Sequence, residues 1–128
     1  MVCDDESDQS VNREAFGLLH HITRARLAAG RLAVIDATNL ETGARRYLLR
    51  ISSHNHVPAV AVAFNIPLEK CVERNLSRAE RVVNQDVISL HAALYERAVA
   101  RLRLEGYANI YVLDEAKLND VVIERIRY

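Results

Sequence analysis

Two groups of polar residues stand where chemistry could be done. The first is Asp36, Thr38 and Asn39, which follow directly on the apolar run Leu32-Ala33-Val34-Ile35. A carboxylate that closes a buried strand is suited to holding Mg²⁺ or orienting water beside a nucleotide. In open α/β sheets, ligands bind beyond the carboxyl ends of the strands. Asn65 closes a second apolar run in the same way. Asp36 and Asn39 could equally cap the next helix and tie its loop together. The second group is Arg74, Arg78 and Arg81. Their offsets of four and seven put three guanidiniums on one face of a helix, if it runs that far. Guanidinium forks match phosphate oxygens in a bidentate way that an ammonium cannot. Glu73 and Glu80 could neutralise them locally, which would make the same arginines a solvated face. Their position favours more than that. They lie around the polar stretch Ser77–Asp86, where a lid over a bound phosphate could hinge.

Other chemistries find no support. The four glycines, Gly17, Gly30, Gly43 and Gly106, form neither G-x-x-x-x-G-K-S/T nor G-x-G-x-x-G. No HExxH, CxxC or GxSxG is present. The histidines, His20-His21, His54, His56 and His91, have no cysteine or carboxylate at ligand spacing, so helix ends and the surface are their expected homes. Tyr107 and Tyr111 read as packing residues.

The elements that must position these groups follow from hydrophobic periodicity. Ala15, Phe16, Leu18, Leu19, Ile22 and Leu27 repeat at helical spacing over 12–29, and Gly30 supplies the stop. The unbroken run 32–36 reads as a strand buried on both faces. Residues 41–53 return to a helical pattern, with Tyr47, Leu48 and Ile51 inward and Arg45, Arg46 and Arg50 outward. Residues 59–64 form a second apolar strand. Pro67 opens a helix carrying Cys71, Val72 and Leu76 inward. A longer helix is expected over 87–105, a third strand over 110–113, and a last helix through Leu118, Val121, Val122 and Ile126. The order αβαβααβα implies a parallel sheet with helices on both faces, a three-layer α/β fold.

Composition bounds the rest. With 128 residues, 17 basic against 17 acidic side chains and half the residues apolar, the chain suits one compact domain, 1–128. It is neither a polycation nor a disordered chain, so any polyanion site must be local. Nothing approaches a membrane span, the N-terminus is acidic rather than signal-like, and Cys3 and Cys71 have no metal spacing. A cytoplasmic protein with reduced thiols is expected.

Several segments together resemble a known family. Asp4-Asp5-Glu6-Ser7-Asp8-Gln9, Ala33-Val34-Ile35-Asp36-Ala37-Thr38-Asn39, Val62-Ala63-Phe64-Asn65-Ile66-Pro67, Cys71-Val72-Glu73-Arg74-Asn75 with Arg78 and Arg81, and Glu105-Gly106-Tyr107 are similar to the 5′-hydroxyl polynucleotide kinase domain of bacterial kinase–phosphatase end-healing proteins. The match runs in order from about Val2 to the C-terminal helix. Each motif alone is weak, and five in register are specific.

The resemblance implies a P-loop phosphotransferase that uses ATP and Mg²⁺ to phosphorylate the 5′-OH ends of RNA or DNA. By position, Arg74 and Arg78 resemble the lid arginines that act on the transferring phosphate, within a lid region of about 72–86. Arg81 resembles a third lid residue near the nucleotide. Asp36 and Asn39 fall on the family's DATN strand end, also on the nucleotide side, and Gln9 falls on the acceptor side. In such kinases the first strand, its phosphate cradle and the general-base Asp precede the acidic segment with which this chain begins. The resemblance therefore implies an incomplete sheet and an N-terminally truncated domain, inactive or nearly so alone. Two strand edges would face the gap, to be filled by the missing segment or by a partner chain. Two other readings stay open: a P-loop kinase relative with a small-molecule or protein acceptor, and a non-enzymatic interaction module that needs a partner strand.

Overall fold

The computed structural model describes residues 9–78 and 82–124, and the chain divides into two compact units, 1–59 and 60–128. The first unit is helical. Helix α1 spans Gln9–Ala28, and α2 spans Thr42–His54. Beyond α1, Gly30 takes a positive φ of 66°. Its N–H donates to Leu27 O at 2.9 Å, and the N–H of Arg31 reaches back to Arg26 O at 2.9 Å. This paired capping needs the left-handed conformation that glycine adopts without strain. Helix α2 ends the same way on His56, at φ 55°. The two helices meet where His20 stacks on Tyr47, with ring centroids 4.2 Å apart. His20 is therefore a half-buried residue in mid-helix rather than one at a helix end. Thr23 and Ile51 are buried nearby in sequence on their respective helices, and the Thr23 hydroxyl donates to Leu19 O at 2.7 Å.

Between these helices the expected strand at 32–36 does not form. Leu32 and Val34 are 79% and 80% exposed. An apolar run becomes a strand only when a neighbour satisfies its backbone groups, and the one sheet among the described residues has only two strands.

The second unit is α/β. Strand β1 (Val60–Asn65) is followed by α3 (Leu68–Leu76), α4 (Gln85–Leu102), β2 (Asn109–Asp114) and the single-turn α5 (Glu115–Leu118). The strands are parallel, in register from Val60 with Asn109 to Asn65 with Asp114. The observed order is therefore α1–α2–β1–α3–α4–β2–α5, with a two-stranded parallel sheet in place of the three strands expected. Side chains alternate between sheet faces, and one face stays open: Val60, Val62, Phe64 and Tyr111 are each about half exposed. Helix α3 packs on α4, which buries Ala98 and Leu102. The Asn84 side chain caps α4 by accepting from Asp86 N at 2.9 Å. The expected C-terminal helix stops at Leu118; Val121 and Val122 are exposed outside it, and Ile126 lies outside the described residues. No helix among the described residues is long and apolar enough to cross a membrane.

Candidate functional site

The carboxyl ends of two parallel strands define a rim in the second unit. Because Asn65 and Asp114 are register partners, they stand side by side where the sheet stops. Pro67 precedes α3 and Glu115 opens α5, so each strand turns at once into a helix. A groove of about 590 Å³ lies here, lined by Asn65, Pro67, Asp114, Glu115, Ala116 and Asn119.

Charge on this rim is already partly committed. One oxygen of Asp114 accepts from the Lys117 N–H at 2.8 Å, and the other lies 3.6 Å from Lys117 Nζ. The backbone hydrogen bond, followed by the Lys117 charge, holds the Asp114 carboxyl below its ordinary value, and partial desolvation opposes this. Arg74, in the last turn of α3, places Nη2 at 3.1 Å from Glu115 Oε1. Both side chains are about half exposed, so the pair contributes at most about 1 kcal/mol and Arg74 can exchange its partner for a stronger anion.

The expected arginine face is interrupted. Helix α3 ends at Leu76 with Ser77 as its C-cap, so Arg78 leaves the helical track of Arg74. Its N–H donates to Asn75 O at 3.2 Å and its side chain is exposed. Arg81 lies outside the described residues, and so does the side chain of Gln9, whose backbone opens α1. What organises the segment carrying Arg78 is a residue to which the sequence reading gave no role. Asn75 is 7% exposed; its Nδ2 donates to Val83 O at 2.6 Å and its Oδ1 accepts from Val83 N at 2.8 Å. One amide thus ties both backbone groups of Val83 to the end of α3.

Asp36 and Asn39 belong to the first unit. Asp36 is exposed and makes no hydrogen bond or ion pair among the described residues. Asn39 adopts φ 46°, a left-handed value that its side chain supports by donating to Ala37 O at 3.3 Å. The loop is fixed from α2 by Arg45. This guanidinium donates to Asn39 O at 2.8 Å and Leu40 O at 2.6 Å through Nη1, and to Thr42 Oγ1 at 3.3 Å through Nη2. Arg45 is 3% exposed, which corrects its expected outward position. The signal was present in the spacing: 45, 48 and 51 share one helical stripe.

Residues 2–114 match the sequence profile of the AAA domain family. The chain belongs to that family. AAA domains of this family are P-loop NTPase-like and include kinases. No curated protein matches the chain. The residues of this AAA domain fit such a role unevenly. The amides and carboxylates of the rim offer donors and acceptors that suit a heterocycle or sugar hydroxyls, and the carboxylates of Asp114 and Glu115 repel phosphate unless a cation intervenes. Among the described residues, no three histidine, cysteine or acidic side chains gather to hold a metal ion. Mg²⁺ bound with phosphates needs only one or two carboxylates, and Asp36, unlike Asp114, has no partner for its oxygens among the described residues. The 128 residues contain no G-x-x-x-x-G-K-S/T phosphate cradle.

Proposed function

We propose that this AAA domain is the lid and acceptor portion of a polynucleotide 5′-hydroxyl kinase, working in the cytoplasm on RNA or DNA ends that need healing. What supports this most is the residue pattern: DATN at 36–39 after an apolar run, Asn65 at the end of β1, and Arg74 held at the strand rim by a weak, exchangeable pair with Glu115. ATP would supply the phosphoryl group, with Mg²⁺ screening its charge. Arg74 leaves Glu115 to neutralise that charge, and Arg78 and Arg81 serve as the further lid arginines. Asp36 and Asn39, in the helical unit, are assigned to the nucleotide and Gln9 to the acceptor end by their places in the sequence motifs. Transfer requires a phosphate cradle and a general base beyond these 128 residues, so the chain alone is inactive.

The test is transfer of radiolabelled γ-phosphate from ATP to a 5′-OH oligonucleotide. The chain alone should give background. Adding an upstream segment with a strand and a G-x-x-x-x-G-K-S/T loop should give transfer, and Arg74→Ala or Arg78→Ala should then lower turnover about a hundredfold or more. Transfer to a small molecule or protein, with none to the oligonucleotide, would replace the acceptor assignment. A second reading has its own support. Among the described residues the sheet has two strands, each with an outer edge, and the apolar run at Leu32 and Val34 is exposed; both suit a module that completes its sheet with a strand from another segment or chain. An obligate complex on size exclusion, without kinase activity after the cradle is supplied, would favour it.

A further inference from the structure

The helical unit carries a cationic cluster that the kinase site does not use. Helix α2 contains three arginines and no acidic residue, and α1 contains a single acid, Glu14. Arg24 of α1 places Nη1 at 3.0 Å from the Tyr47 hydroxyl, and the Arg50 guanidinium carbon lies 5.2 Å from the centre of the Tyr47 ring. Arg46, exposed one turn before Arg50, extends the same group. The ion pairs among the described residues all lie in the other unit, so none neutralises Arg24, Arg46 or Arg50. Burial first, and then the nearby Arg24 charge, lower the His20 pKa, in keeping with a positive field at this helix junction. Like charges one helical turn apart destabilise a helix. Here one of the two, Arg50, lies over the Tyr47 ring. His20 already stacks on Tyr47 and Arg50 lies over it. The tyrosine therefore sets two of the three guanidiniums in place, Arg24 through its hydroxyl and Arg50 through its ring.

We propose that Arg24 and Arg50, held by Tyr47, and the exposed Arg46 beside them form a landing surface for the phosphate backbone of a single-stranded nucleic acid. A flexible strand can fit its phosphates to three unevenly spaced guanidiniums, and stacking on an arginine plane recognises unpaired bases without regard to sequence. The inference rests on the kinase reading only in choosing nucleic acid over another polyanion.

The test is fluorescence anisotropy of a labelled 15-nucleotide single strand titrated with the full chain at several salt concentrations. The variant R24Q/R46Q/R50Q should weaken binding tenfold or more and flatten the salt dependence by about two, since each neutralised phosphate of a single strand contributes about 0.7 to the slope. The charge-matched variant R97Q/R101Q/R103Q should stay within about threefold of the parent, and R24K/R46K/R50K should retain most of the binding. Circular dichroism establishes that each variant is folded. Equal losses in the two glutamine variants, or no binding by the parent chain, would overturn the proposal. So would polyphosphate competing as well as an oligonucleotide of equal charge. Strand binding is read without phosphoryl transfer, so failure of the kinase assay leaves this result intact, and the reverse holds as well.

Discussion

Replacing Asn75 with alanine should free the connection that leads from α3 to α4. The side chain makes two hydrogen bonds, at 2.6 and 2.8 Å, to the carbonyl and amide of Val83 from a position only 7% exposed. Each such bond contributes about 1 kcal/mol net, and a buried group left without a partner costs about 1–3 kcal/mol. Val83 is half-buried, so water can reach part of what alanine exposes. The expected loss is therefore about 2–3 kcal/mol. If it is local, the Val83 amide should exchange with deuterium about thirtyfold faster or more. Asn75→Asp should do no better than alanine: it keeps the acceptor for Val83 N–H but sets a carboxylate oxygen against Val83 O. Hydrogen exchange followed by mass spectrometry or NMR reads both variants. Unchanged protection at Val83 in Asn75→Ala would refute the reasoning, because it would mean the amide was never the restraint.

Tyr95→Phe should stabilise the chain by about 1 kcal/mol in a urea titration, since the Tyr95 hydroxyl is buried with no partner among the described residues and burial raises its pKa. Arg45→Met should cost about 3 kcal/mol or more, because the carbonyls of Asn39 and Leu40 lose their donor. Arg45→Lys should recover less than half of that in the same titration, because an ammonium cannot fork to two carbonyls and Thr42. Asp114 should keep α5 capped across the neutral range. Its folded pKa lies below the unfolded value of about 3.9, so its contribution is complete above that pH and fades as pH falls through the lowered value. The Lys117 amide shift followed against pH measures this, and a midpoint at or above the ordinary aspartate value would contradict it.

Where local pattern decides structure, the sequence was readable. The helix expected over 41–53 forms over Thr42–His54, and the strand expected over 59–64 forms over Val60–Asn65. The failures share a cause, dependence on partners far away in sequence. Residues 32–36 have the composition of a buried strand, but pairing is a property of two segments and no hydrophobic count reveals the second. Its charge argues for an outward Arg45, although its stripe faces inward; its partners are carbonyls, which sequence does not distinguish. Arg74, Arg78 and Arg81 keep helical spacing, yet the chain leaves the helix at Ser77, and Asn75 makes its contacts with Val83. In the rim, Asn65 was legible as a polar residue closing an apolar run. Asp114 closes Ile110-Tyr111-Val112-Leu113 in the same manner as Asp36 closes its own run, and the same signal would have found it.

Every residue of β1 pairs with one 49 positions later in β2. During synthesis at about 5–20 residues per second, the first strand would therefore wait roughly 2–10 s for its mate to be made. Through that interval the segment Val60-Ala61-Val62-Ala63-Phe64 carries no charge and no proline to discourage pairing with a neighbouring nascent chain. The vulnerable moment for this polypeptide is thus on the ribosome, and slower translation between the two strands should lengthen it.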